Sequence, residues 1–334
     1  MKHLKHLSWL LIVIFAIFMV GCSSDDDDNG TGPAAPTDYL SDIAALGDAY
    51  FAATKNITAA NLYNDILGAV ELFIIDFRSA ADYDTCGHIE NAANWSIGSL
   101  MDNLSQIPSS AKVVCVCYTG QTASQATSVL NMLGYDAYNL KWGMCGWTSQ
   151  DSVNLGKWSS VTPGGQTLET TANAFPGTFE LPEVTPEVAS VNEAITTLAD
   201  AYFGAGTKNI TAADLYALLN NGDPLDDPYI VNYFPETNYN AGHIPGAYQM
   251  DTGSFGEEEL AFLPTDQQIV IYCFTGQTSS QLTSYLNVLG YNAYSLKFGL
   301  NAITDDPTVL NNPSTGTPVV YTPPATDYPV VTGP

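Results

Sequence analysis

The sequence predicts an α/β protein that carries one unit twice, each unit a mostly parallel central sheet flanked by helices on both faces. The first observation is a long internal repeat. Asp48-Ala49-Tyr50-Phe51 recurs as Asp200-Ala201-Tyr202-Phe203, and Lys55-Asn56-Ile57-Thr58 as Lys208-Asn209-Ile210-Thr211. Gly87-His88-Ile89 recurs as Gly242-His243-Ile244, and the offset grows only from 152 to 156 residues along the chain. That period marks a duplicated domain rather than a short-repeat solenoid. The second observation is alternation: short apolar runs are followed by segments of helical period, the pattern of strands buried on both faces of a parallel sheet. The third is a Cys-aromatic-Thr-Gly-Gln-Thr loop, present once in each copy.

Taken in order, Thr58 and Thr211 stand as N-caps before helices rich in Ala, Leu and Tyr. Residues 72–76 and 229–232 are short apolar runs, as are 112–116 and 268–272 just ahead of the two loops. After the loops, Ala126, Val129, Leu130 and Leu133 fall on one helical face, as do Leu282, Tyr285, Leu286 and Leu289. Each of these helices ends in Leu-Gly-Tyr. Ligands of such sheets bind outside the carboxyl ends of the strands, where Cys117 and Cys273 fall.

The loops are Cys117-Tyr118-Thr119-Gly120-Gln121-Thr122 and Cys273-Phe274-Thr275-Gly276-Gln277-Thr278. A cysteine that ends a strand, with a tight loop opening into a helix, faces backbone N–H groups and a helix N-terminus, both of which favour a thiolate. Gly120 and Gly276 let the backbone curl, and Thr119, Thr122, Thr275 and Thr278 add hydroxyls. Sulfur chemistry is the expectation, with Cys117 and Cys273 as nucleophiles and the loop residues as an anion cradle. No Cys/His cluster has metal-ligand spacing, and no cofactor is expected.

The ends and the charge bound the rest. Lys2 and Lys5, an apolar stretch over 9–20 and Met19-Val20-Gly21-Cys22 resemble an export signal with a lipidation site at Cys22. Twelve apolar residues are too few to span a bilayer. The expected layout is a leader over 1–21, an acidic flexible tether over 22–38, domains over 39–158 and 191–308, an exposed Pro/Thr-rich linker over 159–190 and a Pro/Thr-rich tail over 309–334. The expected location is the cell envelope, lipid-anchored to an outer membrane or another extracytoplasmic face. With 9 Lys+Arg against 35 Asp+Glu, net charge −26, the surface repels nucleic acid and anionic headgroups. Of the cysteines outside the loops, Cys115 reads as buried packing, while Cys86 and Cys145 are candidates for a mutual disulfide or plain burial.

The ordered set of motifs resembles the rhodanese-like sulfurtransferase family. In the first copy it comprises Asp76-Phe77-Arg78, Asp82-Tyr83, Gly87-His88-Ile89, the loop, Leu133-Gly134-Tyr135 and Lys141-Trp142-Gly143. In the second it comprises Tyr239, Gly242-His243-Ile244-Pro245-Gly246-Ala247, the loop and Lys297-Phe298-Gly299. The resemblance implies two rhodanese-like domains whose cysteines take sulfane sulfur as persulfides and pass it to a thiol or cyanide acceptor. It also implies that Asp76 and Arg78 form a buried support and that His88 and His243 tie a turn. Two departures matter: Asn232-Tyr233-Phe234 replaces Asp-Phe-Arg in the second copy, and neither loop contains Arg or Lys. The missing loop Arg also argues against the phosphatase branch of the fold, which clamps phosphate bidentately. The alternative to an enzyme is a non-catalytic or sulfur- or chalcogen-carrying accessory lipoprotein of an envelope complex, for instance a respiratory one.

Overall fold

The computed structural model describes residues 36–158, 166–253, 255–312, 315–320, 322, 324 and 326–333. The expected leader, Cys22 and most of the tether lie outside the described residues. Among the described residues no helix is long and apolar enough to cross a membrane.

The first repeat runs α1 (Leu40–Phe51), β1 (Asn56–Ile57), α2 (Ala59–Leu67), β2 (Leu72–Asp76), α3 (Ala80–Cys86), β3 (Ala93–Asn94), β4 (Lys112–Val116), α4 (Gln121–Met132), β5 (Ala137–Leu140), α5 (Gly143–Trp147) and α6 (Asp151–Asn154). The second runs α7 (Val191–Gly204), β6 (Asn209–Ile210), α8 (Ala212–Leu219), β7 (Tyr229–Tyr233), α9 (Glu236–Ala241), β8 (Tyr248–Met250), α10 (Glu257–Leu260), β9 (Ile269–Tyr272), α11 (Gln277–Val288) and β10 (Ala293–Leu296). Each repeat builds one parallel five-stranded sheet, in the orders β1-β5-β4-β2-β3 and β6-β10-β9-β7-β8. The loop cysteine follows the middle strand, β4 or β9, in both.

The caps read from sequence hold: Thr58 Oγ1 accepts from Asn61 N–H at 3.2 Å and Thr211 Oγ1 from Asp214 N–H at 3.1 Å. Strand residues alternate as the pleat requires. Val113 and Cys115 of β4, with Ile269 and Ile271 of β9, face one apolar interior shared by both repeats. Val114 and Val116 face a separate outer layer in the first repeat, and Val270 and Tyr272 another in the second.

The two loop helices pack against each other at the centre. Their contact is polar: Ser124, Gln125, Thr127 and Ser128 of α4, and Ser280, Gln281, Thr283 and Ser284 of α11, are all sealed from solvent. Ser128 and Ser284 hydroxyls meet at 2.7 Å. Each repeat's first helix serves the other repeat's loop helix. Tyr50 OH of α1 donates to Gln281 Oε1 at 2.9 Å, and Tyr202 OH of α7 donates to Gln125 Oε1 at 2.5 Å.

The Pro-rich segments run along the surface, and most of their residues are exposed or half-exposed. Residues 166–181 follow the second repeat, pinned through Leu168, Phe175 and Phe179, and the segment then crosses to the first, where Val184 exchanges hydrogen bonds with Asp38 and Tyr39. Glu169 and His243 exchange two backbone hydrogen bonds of 2.9 Å. The tail does the same for the first repeat, where His88 and Val331 exchange two of 2.9 Å. Tyr328 also packs on Tyr63 and Trp147 there.

Candidate active site

Cys117 and Cys273 open the turns that leave β4 and β9. Gly120 (φ +80°) and Gly276 (φ +77°) take the left-handed conformation that starts α4 and α11. The turn aims amides at sulfur: Cys117 Sγ accepts from the N–H groups of Gly120 at 3.1 Å and Ala123 at 3.5 Å, and Cys273 Sγ from Ser279 N–H at 3.4 Å. Both side chains are nearly sealed, at 4% exposure. For Cys117 burial prevails and raises the thiol pKa, opposed by the N–H groups of Ala123, Thr119, Gly120 and Thr122. This corrects the expectation of a readily ionised thiolate there: the amides are present, but desolvation outweighs them.

A second corner supports each loop from beneath. Trp142 and Phe298 sit at φ +63°, followed by Gly143 at +54° and Gly299 at +55°. A Cβ on either glycine would lie 2.2 Å from the carbonyl oxygen of Cys117 or Cys273, so only glycine permits this approach. Met144 N–H then donates to Cys117 O at 2.8 Å, and Leu300 N–H to Cys273 O at 2.9 Å. The only signal for this role in the sequence is that Lys-aromatic-Gly recurs at the repeat offset.

The loop side chains divide their work. Thr119 and Thr275 hydroxyls accept from the Gln121 and Gln277 amides at 3.1 and 3.2 Å. Gln121 and Gln277, expected in the anion cradle, instead commit their carbonyls across the repeat boundary. Gln121 Oε1 accepts from Phe298 N–H at 3.0 Å, and Gln277 Oε1 from Trp142 N–H at 2.9 Å and Asn139 Nδ2 at 3.1 Å. Tyr118 donates its hydroxyl to Asp82, which holds the Asp82 carboxyl below its ordinary range, with a further hydrogen bond from Ser79.

Asp76 and Arg78 form a buried ion pair, Nη2 to Oδ2 at 2.8 Å, and the guanidinium also donates to the carbonyls of Gly87 and Val153. The His88 and His243 rings stack on Tyr83 and Tyr239 at 3.5 and 3.6 Å, far from any catalytic posture. Among the described residues no disulfide joins Cys86 to Cys145, and Cys115 is not bridged either. Cys86 is half-buried on α3 beside Asp82, whereas Cys145 is buried in α5 under the Cys117 loop. Burial pushes Cys115 up to about 12 and Cys145 up to about 11. Among the described residues no group of His, Cys, Asp and Glu could hold a metal.

Cys273 opens on a cavity of about 330 Å³. Its walls include Thr275, Thr278, Tyr233 and Phe234 from the second repeat, with Asn56 and Lys141 from the first. Thr122, the counterpart of Thr278, is half-buried beside Cys117. Composition gave no sign of this composite wall, because Lys141 lies over 130 positions from Cys273 in the sequence.

The model of the rhodanese-like domain matches residues 58–150 and 211–306. The chain therefore belongs to the rhodanese-like family and carries the domain twice. It is 31% identical over 100 residues to the thiosulfate sulfurtransferase GlpE of Pseudoalteromonas translucida, covering 28% of this chain and 87% of that protein. Among solved structures, a rhodanese-like domain protein from Staphylococcus aureus is 29% identical over 28% of this chain and 91% of its own, with a TM-score of 0.27. A thiosulfate sulfurtransferase from Pseudomonas aeruginosa is 18% identical over 77% of this chain and 46% of its own, with a TM-score of 0.28.

Proposed function

We propose that this protein is a sulfurtransferase that moves sulfane sulfur through a persulfide, with Cys273 as the principal carrier and Cys117 as a slower one. The observation that carries the reading is the cavity beside Cys273, a strand-end cysteine whose Sγ receives a helix N-terminal N–H. In the first half-reaction the Cys273 thiolate attacks the outer sulfur of a donor such as thiosulfate. The new S–S bond forms as the old one breaks, and its electron pair departs with sulfite. In the second, a thiolate or cyanide takes the outer sulfur, and the pair of the broken bond returns to Cys273 as thiolate. No oxidant or reductant enters either step.

The preference for Cys273 rests on access, because its side chain borders a cavity that a donor can enter. Attack requires thiolate, and burial raises the Cys117 pKa, which slows that nucleophile. Anchoring through Cys22 is part of the proposal and rests on the sequence pattern of the leader alone.

One measurement addresses both parts: intact and peptide mass of the membrane-derived protein after incubation with a sulfane donor. The expected result is a diacylglyceryl-bearing Cys22 and a sulfur-atom increment that reaches Cys273 severalfold sooner than Cys117. Thiocyanate production from cyanide should drop severely in Cys273→Ser and mildly in Cys117→Ser. Absence of any increment on either loop cysteine rejects the sulfur-transfer reading.

A further inference from the structure

Lys141 follows β5 of the first repeat, yet it lines the cavity of the second repeat's cysteine. Its backbone is fixed on both sides. Lys141 N–H donates to Ile57 O at 2.8 Å, and the next N–H, of Trp142, donates to Gln277 Oε1 at 2.9 Å. Gln277 belongs to the Cys273 loop itself, so the hydrogen bond that joins the repeats also sets the lysine at the cavity wall.

Lys141 borders a second cavity beside Trp142 as well, and no carboxylate among the described residues neutralises it. Lys55, Arg78 and Lys112 are held by Asp136, Asp76 and Asp65. Among the described residues Lys141 forms no ion pair, and its ammonium stands 4.7 Å from the Trp142 ring centre. Partial burial lowers its pKa, the mark of a cation stripped of part of its water. A partly desolvated charge acts more strongly on a neighbouring ion than a hydrated one does. The chain as a whole carries a net charge of −26, and among the residues lining this cavity Lys141 is the one that is charged, so it weighs heavily on whether an anion is admitted.

We propose that Lys141, supplied by the first repeat, is the anion-selecting residue of the Cys273 cavity, and that this site prefers donors bearing a negative group. The loop itself has no cation, and the partner domain provides one. The idea rests on the sulfur-transfer reading for its biological meaning, but its physical content is tested without any sulfur transfer. Iodoacetate and iodoacetamide share a leaving group and differ in charge, and peptide mass reports alkylation at Cys273 separately from the other thiols.

In Lys141→Gln the ratio of iodoacetate to iodoacetamide rates at Cys273 should fall about fivefold at low salt, with the iodoacetamide rate itself unchanged. Lys141→Arg should restore most of the ratio. With an anionic sulfane donor, KM should rise by a similar factor while kcat stays near the parent value. An unchanged ratio, or equal slowing of both reagents, overturns the proposal. A fallen ratio in a protein that accepts no sulfane sulfur supports the anion site and removes the sulfur-transfer reading alone. Sulfur loading with an unaffected ratio does the reverse.

Discussion

The same corner of the fold is filled by charge in one repeat and by aromatic rings in the other. In the first, Asp76 and Arg78 pair under the loop, and the guanidinium carbon lies 5.8 Å from the Tyr118 ring centre. In the second, Asn232 stands in for Asp76, and Phe234 stacks on Phe274 with centroids 4.7 Å apart. Both solutions hold a loop of the same backbone shape, as Gly120 and Gly276 show by nearly identical φ. The corner needs a filled volume and satisfied carbonyls, and ion pairing is one of two ways to supply them. The aromatic version also walls a cavity, since Phe234 and Phe274 line the one beside Cys273.

Removing one partner from each corner should separate the two solutions most sharply. Arg78→Ala strands the buried Asp76 carboxylate and should cost about 3–5 kcal/mol of stability. Phe234→Leu only reshapes an apolar contact and should cost about 1 kcal/mol. Urea denaturation of both variants checks this, and equal costs would mean that the ion pair contributes no more than its shape.

The cross-boundary glutamines come next. Gln277→Ala withdraws an acceptor from two donors, Trp142 N–H and Asn139 Nδ2, and should cost about 1–3 kcal/mol. Gln121→Ala withdraws one from Phe298 N–H and should cost less. Reversal of that order in melting curves would show that the two sides of the interface are not equivalent in the way the hydrogen bonds imply.

The smallest effect is an alkaline sensitivity carried by the buried thiols of the first repeat. Its buried thiols, Cys115, Cys117 and Cys145, all have raised pKa values, chiefly through burial. A group whose folded pKa is raised keeps its proton after the unfolded chain has released it. The contribution is therefore full below the unfolded thiol pKa, about 8.5, and is lost as pH climbs toward the folded value. Between pH 8 and 9.5, melting temperature should decline, and Cys145→Ala should flatten that slope by about 1 kcal/mol. An unaltered slope would place the sensitivity elsewhere.

Much of the fold was legible in the sequence because its strands are continuous apolar runs. The expected 72–76 and 112–116 coincide with β2 and β4, and 268–272 runs one residue longer than β9. The two-residue edge strands β1 and β6 were not legible, since Asn-Ile is too short to show a period. At the site, residue type and loop position pointed to the cysteines and their amides. Partnership across the repeats was hidden for a physical reason. Ser124, Gln125, Ser280 and Gln281 are the residues that usually face water, and here each polar face is covered by the other copy. Desolvation of Cys117 was equally invisible, because a sequence lists the donors near a thiol and not how much solvent has left it.

The backbone pairings at the two histidine turns are exchanged between halves of the chain. The segment after the first domain closes the second at His243, and the segment after the second returns to close the first at His88. A cut near residue 190 would leave the front half without the strap that Val331 provides. The rear half would lose the one that Glu169 provides. What began as two copies of a self-contained unit has become an arrangement in which the first half borrows a closing bond from the far end of the chain, so no cut between the copies leaves both complete.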